Sequence, residues 1–198
     1  TVLPDHYTTS LYFGDEPNWN DIIERFPIDY SAITDIEKSI KNDTIKVYAI
    51  HGALYSGKST LMKELFYLLS NNSDFLCLYN YENEIEKDKI KKIINQVELP
   101  YKKIILFFED CGELYSVFNE VLEIDDRIVI VSSSYTLIHK RKKYALTGLN
   151  YLDCEIPSNL QKDDIACVGS SLNASKSEVL TKTQKKHLSE DPNKIPLM

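Results

Sequence analysis

His51-Gly52-Ala53-Leu54-Tyr55-Ser56-Gly57-Lys58-Ser59-Thr60 follows directly on the strand-like run Ile45-Lys46-Val47-Tyr48-Ala49-Ile50, and it fits the pattern G-x-x-x-x-G-K-[ST]. Each fixed position has a physical reason. Gly52 and Gly57 let the backbone turn tightly enough for the N–H groups of Gly52, Ala53, Leu54, Tyr55, Ser56 and Gly57 to aim at one anion, and a helix beginning near Lys58 adds the positive end of its dipole. The expected occupant is the phosphate chain of a nucleotide. Lys58 then reaches the β- and γ-phosphates as a point charge, the Ser59 hydroxyl ligates the Mg²⁺ that bridges them, and Thr60 bonds the α-phosphate. A chance match in a glycine turn leaves the flanks unexplained: after the loop, Leu61, Leu65, Leu68 and Leu69, with Met62 and Phe66, recur at helical spacing.

Working outward, strands and helices alternate. A strand near residues 45 to 50, the loop and a helix near 58 to 70 lead to a second strand, Phe75-Leu76-Cys77-Leu78-Tyr79. Glu82 to Val97 reads as a charged amphipathic helix with Ile90, Ile93, Ile94 and Val97 on one stripe, ending before Pro100. Lys103-Ile104-Ile105-Leu106-Phe107-Phe108 and Arg127-Ile128-Val129-Ile130-Val131 are apolar runs of the kind buried on both faces of a parallel sheet, joined by a helix from about 113 to 123. Tyr151 to Ile156 is a last candidate strand, and Leu160 to Leu172 a candidate helical lid. Ahead of the core, Pro17 and Asn18 introduce a short helix from Trp19 to Arg25, and Ser31 caps another carrying Ile33, Ile36 and Ile40. The expected fold is α/β in three layers, a parallel sheet with helices on both faces and the ligand at the C-terminal ends of the strands. Its divisions are an N-terminal helical connector (1–43), the core (44–158), and a partial helical lid with a polar tail (159–198).

A loop that binds nucleotide with Mg²⁺ calls for a carboxylate at the end of a buried strand, and Phe107-Phe108-Glu109-Asp110 offers two. Glu109 is assigned to the metal with Ser59, and Asp110 to the attacking water; with Lys58 they form the expected catalytic set. An ordinary acidic turn is the competing reading. Ser132, Ser133 and Ser134 close the next strand, where Ser132 is a candidate contact to the γ-phosphate; a simple turn is equally open. An N-K-x-D guanine element is missing, since Asn193-Lys194-Ile195-Pro196 lacks the aspartate, so ATP or ADP is the expected nucleotide. Trp19 or Tyr30 are candidates to stack on the base, though a lone aromatic more often packs on the core. His139-Lys140-Arg141-Lys142-Lys143 reads first as a solvated loop and second as a phosphate contact; His51 simply ends its strand.

The chain has 198 residues, 43% hydrophobic and 27% charged, with a net charge of -7. Such a balance suits a globular α/β domain and argues against a surface that coats nucleic acid, leaving a local basic contact open. Cys77, Cys111, Cys154 and Cys167 form no C-x-x-C, so reduced thiols and a cytoplasmic location are expected, and no stretch approaches the length of a membrane span. Beginning at Thr1 and ending in a polar run, the sequence reads as a segment of a longer protein.

These motifs together resemble the additional-strand class of P-loop ATPases, and within it STAND NTPases, over roughly residues 44 to 170. The stretch Gly14-Asp15-Glu16-Pro17-Asn18-Trp19-Asn20-Asp21-Ile22 is similar to the segment before the ATPase in prokaryotic antiviral defence proteins. The resemblance implies a regulatory module between an effector and a sensor, in which nucleotide controls assembly of a homo-oligomer through the parent protein in response to a protein trigger. Two departures stand out: the family usually has Asp where this chain has Glu109, and often Arg where it has Ser134. Without that positive charge the γ-phosphate is less stabilised, which implies slow hydrolysis. A DNA-associated ATPase of the initiator or loader type, a small-molecule kinase, and a nucleotide held as a folding ligand are the competing readings.

Overall fold

Strands covered on both faces need apolar residues at consecutive positions, whereas edge strands do not. The computed structural model describes residues 19–23, 31–42, 44–54, 56–80, 84–97 and 100–156, and its sheet follows that rule. Strand β1 (Val47–Gly52) is buried along its whole length, β3 (Lys103–Phe108) along all but its first residue, and β4 (Ile128–Tyr135) along all but its last. The partly exposed β2 (Phe75–Asn80) and β5 (Tyr151–Glu155) take the two edges of a five-stranded sheet in the order β2-β3-β4-β1-β5. Every neighbouring pair is parallel. Strand β4 therefore lies between the loop-bearing β1 and the acid-bearing β3, the additional strand of the class that the motifs resemble.

Side-chain alternation sorts the core into two layers. On one face Tyr48, Ile50, Ile105, Phe107, Val129 and Val131 pack against Leu61, Met62, Leu65 and Leu69 of α3 (Lys58–Ser70) and Ile33, Ile36 and Ile40 of α2 (Ser31–Asn42). On the other, Val47, Ala49, Ile104, Leu106, Phe108, Ile128 and Ile130 meet Ile94 of α4 (Lys87–Gln96), Tyr115 of a 3₁₀ helix (Gly112–Val117), Phe118 and Val121 of α5 (Phe118–Leu122), and Leu146. The α1 helix (Trp19–Ile23) lies against α3, and α6 (Thr136–Lys142) follows β4 directly.

Several elements differ from the sequence expectation, each for a local reason. Strand β4 runs four residues past Val131, because the backbone of Ser132, Ser133 and Ser134 pairs in register with Ala49, Ile50 and His51. The segment expected as one helix over 113 to 123 opens as a 3₁₀ helix and only then becomes α-helical. The basic run is no loop: it lies on α6 and continues into a 3₁₀ turn (Lys143–Leu146), with His139 turned inward and fully buried. The helix expected from Glu82 starts at Lys87. The lid over 159–198, Tyr30, Tyr55 and the stretch around Pro17 lie outside the described residues.

Leu65 on α3 is fully buried in the apolar layer that also holds Ile33, Ile36 and Ile40, whereas Leu137 on α6 is 69% exposed. Leu65→Ala is expected to lower unfolding free energy by about 2–5 kcal/mol, and Leu137→Ala to change it by less than about 0.5 kcal/mol. Urea unfolding curves measure both.

Candidate functional site

Because all strands run the same way, their C-terminal ends share one edge, and the loop after β1 and the acidic pair after β3 both emerge there. Between them β4 ends at Tyr135, level with Gly52. Gly57 has φ 83°, a left-handed conformation that glycine adopts without steric cost, and it delivers the chain into the first turn of α3. Gly52 has no room for a side chain, since a Cβ there would lie 2.3 Å from Ser56 Oγ. That Ser56 oxygen is buried and has no hydrogen-bond partner among the described residues. A buried hydroxyl left in this condition beside the helix start fits a loop shaped for an anion. The N–H groups of Lys58, Ser59 and Thr60 occupy the first turn of α3, where no carbonyl within the helix can accept them. Leu54 is 58% exposed and can offer only its backbone.

Lys58 is almost wholly buried, at 7% exposure. Its Nζ donates to the Ala53 carbonyl oxygen at 2.7 Å and lies 4.5 Å from the centre of the Tyr135 ring. Burial pulls the Lys58 pKa below its ordinary value, and the Asp110 carboxylate opposes that fall.

The acidic pair is held by its neighbours. Phe108 is level with Ser132, so Ser133 stands beside the turn that follows β3. The Asp110 N–H donates to Ser133 Oγ at 3.1 Å and the Cys111 N–H to Ser133 O at 3.0 Å. Asp110 has φ 45°, alone among the described non-glycine residues in having a positive φ. Backbone strain of this kind persists where surrounding contacts enforce it, and it collects at functional turns. Glu109, one position earlier, receives a hydrogen bond from the Tyr79 hydroxyl of β2.

Other candidates fall elsewhere. The Ser132 hydroxyl is fully buried and donates to the Tyr48 carbonyl at 3.2 Å, on the interior side of the sheet, and Ser133 is the serine whose hydroxyl accepts from the Asp110 N–H. Ser134 is also interior, with its oxygen 3.0 Å from the Tyr115 hydroxyl. Trp19 packs on the core, its ring 5.3 Å from Phe66 and 5.5 Å from Tyr79. The basic run is partly tied down, with Lys142 bonded to Glu113 at 2.5 Å. His51 does more than end a strand: it is 3% exposed and contacts both Asp153 and His139. Nothing in the local sequence signals that cluster, because its members lie on three separate elements. Burial pushes the Cys77 and Cys154 thiols up to about 12. Among the described residues no helix is long and apolar enough to cross a membrane.

A family model described as Novel STAND NTPase 5 matches residues 10–135. Among solved structures, the chain is similar to PCH-2 of C. elegans, with 13% identity and a TM-score of 0.57 over 83% of this chain and 53% of that one. It also matches AMPPCP-bound DnaA from Aquifex aeolicus, with 14% identity and a TM-score of 0.48 over 80% of this chain and 55% of that one. The chain thus spans about half the length of these structures. No curated protein matches it. The fold, a five-stranded parallel sheet with helices, resembles that of AAA+ P-loop ATPases.

The strain at Asp110 generates a stability expectation. Asp110→Gly removes the steric penalty of positive φ, about 1–2 kcal/mol for most residues and less for Asp, against a chain-entropy cost of about 0.5–1 kcal/mol. Asp110→Gly is expected to unfold at the same urea concentration as wild type or slightly higher, and Asp110→Ala at a clearly lower one.

Proposed function

The chain belongs to the family described as Novel STAND NTPase 5, and on that premise we propose that this nucleotide-binding NTPase module binds Mg·ATP, hydrolyses it slowly and uses it as a switch for assembly. The observation that carries the reading is the placement of buried Lys58 and of Asp110, on its positive-φ turn, at the same C-terminal end of the sheet beside an anion-shaped loop. The loop from Gly52 through Ala53, Leu54, Tyr55, Ser56 and Gly57 surrounds the phosphates with backbone N–H groups, and Thr60 bonds the α-phosphate. Lys58 exchanges its own Ala53 carbonyl for the β- and γ-phosphate oxygens. Ser59 and Glu109 hold Mg²⁺, which when bound neutralises charge on the phosphate oxygens. Tyr79 fixes the orientation of Glu109, and Asp110 orients the attacking water.

Slow turnover is supported by the end of β4. Ser134 stands where the family often carries arginine, and its hydroxyl is buried against Tyr115, so this position supplies no positive charge to the γ-phosphate. We assign the chain to a connector (1–43), a core (44–158) and a lid (159–198) in a cytoplasmic defence protein. Its homo-oligomer then forms through the parent protein when a protein trigger meets the ATP-bound state.

Calorimetric titration with Mg·ATP is expected to show saturable binding to wild type. Losing the charge-assisted contacts of Lys58 in Lys58→Ala is expected to weaken binding at least ~10-fold. Asp110→Asn is expected to keep the affinity and lower the slow phosphate release by about 10²–10⁴-fold. Equal affinity of wild type and Lys58→Ala would sink the assignment.

A further inference from the structure

Beside the loop, β1, α6 and β5 bring together His51, His139 and Asp153. His51 Nε2 lies 2.7 Å from Asp153 Oδ1, and His139 Nε2 lies 3.2 Å from the same oxygen. The two rings stack with centres 4.2 Å apart and planes within 9°. One ligand atom from each of the three residues falls within 4.8 Å of the others.

The far side of each ring is already held. His51 Nδ1 is 3.3 Å from Thr136 Oγ1, and His139 Nδ1 is 2.9 Å from the Tyr115 hydroxyl. A hydroxyl oxygen can accept, so once an ion displaces the Nε2 proton of His51 both Nδ1 atoms can carry the proton and both Nε2 lone pairs are available to the ion. Metal-binding histidines use this division, one nitrogen for the ion and the other donating to a fixed oxygen. His139 supplies a second, independent sign. It is fully buried, yet its Nε2 has no hydrogen-bond partner among the described residues. In a near-parallel stack the shared Asp153 oxygen can lie in the plane of one ring but not of both, and His51 takes that bond. A cation is the ligand that could satisfy both nitrogens at once.

We propose that His51 Nε2, His139 Nε2 and the Asp153 carboxylate form a site for a divalent transition-metal ion of the Zn²⁺ kind, separate from the Mg²⁺ position of the phosphate loop. Two imidazoles and one carboxylate suit Zn²⁺, whereas Mg²⁺ and Ca²⁺ call for oxygen ligands throughout. Asp153 is 38% exposed and gives the ion its path from solvent. Binding exchanges the His51–Asp153 hydrogen bond for the ion and opens the ring stack so that the lone pairs converge; the Thr136 and Tyr115 hydroxyls can rotate to follow. The ammonium of Lys143, 3.9 Å from Asp153 Oδ2, faces the outer carboxylate oxygen and is displaced outward. With three protein ligands the fourth position stays open to water. Because His51 immediately precedes Gly52, a bound ion ties β5 and α6 to the residue from which the phosphate loop departs.

Titrating the nucleotide-free chain with Co²⁺ tests the site apart from any phosphate-loop metal. Saturation at one equivalent is expected, with the visible absorption of a low-coordinate ion, abolished on adding Zn²⁺. Outer partners of metal ligands typically cost ~10–100-fold in affinity when removed. Losing a ligand itself, in Asp153→Asn or His139→Asn, is therefore expected to weaken binding at least ~10-fold, with unchanged circular dichroism; Cys154→Ser is expected to bind as wild type does. Should His139→Asn fail to fold, Asp153→Asn, nearly isosteric and at the surface, decides alone. No saturable binding to wild type, or undiminished binding to Asp153→Asn, overturns the site. Mg·ATP binding does not enter either outcome, so this proposal and the NTPase reading fail separately.

Discussion

The parallel pairing of β1 with β4 is the contact on which the rest of the molecule depends. Its register sets Gly52 level with Tyr135 and His51 level with Ser134, so one ladder of backbone hydrogen bonds fixes where the phosphate loop begins relative to the acidic turn. A slip by one residue would turn Tyr48 and Ile50 toward the helices that now cover Val47 and Ala49, breaking both apolar layers together. The burial of β1 and β4 makes such a slip costly, and it sets Ser133 where it accepts from the N–H groups of Asp110 and Cys111.

The loop and the fold class could be read from sequence because both are local. Glycine spacing, the lysine and the helix-spaced leucines lie within some twenty consecutive positions, and the apolar runs of β3 and β4 declare burial on two faces without reference to other elements. Their bounds were less legible. Serines carry no hydrophobic signal, so the last four residues of β4 are strand only because Ala49, Ile50, His51 and Gly52 lie alongside to pair with them. The basic run hid a helix in the same way: its charge points to solvent, but its one inward residue, His139, is the one that decides where it packs.

The candidate site was half legible for the same reason. Glu109 and Asp110 follow a recognisable buried strand, yet that Asp110 adopts positive φ and that Tyr79 bonds Glu109 depend on residues some twenty to thirty positions away. Ser132 and Ser133 are indistinguishable as letters. Strand alternation sends the first into the sheet interior and brings the second to the acidic turn.

Trp19, Phe66, Tyr79 and Phe107 form an unbroken chain of ring contacts, with centres 5.3 to 5.8 Å apart. Close-packed rings yield little to compression, and the chain ends at the hydroxyl that grips Glu109. The orientation of that carboxylate is therefore set from the apolar layer under α1 and α3, on the side of Glu109 away from the phosphate loop's own backbone, so the acid's aim is a property of core packing.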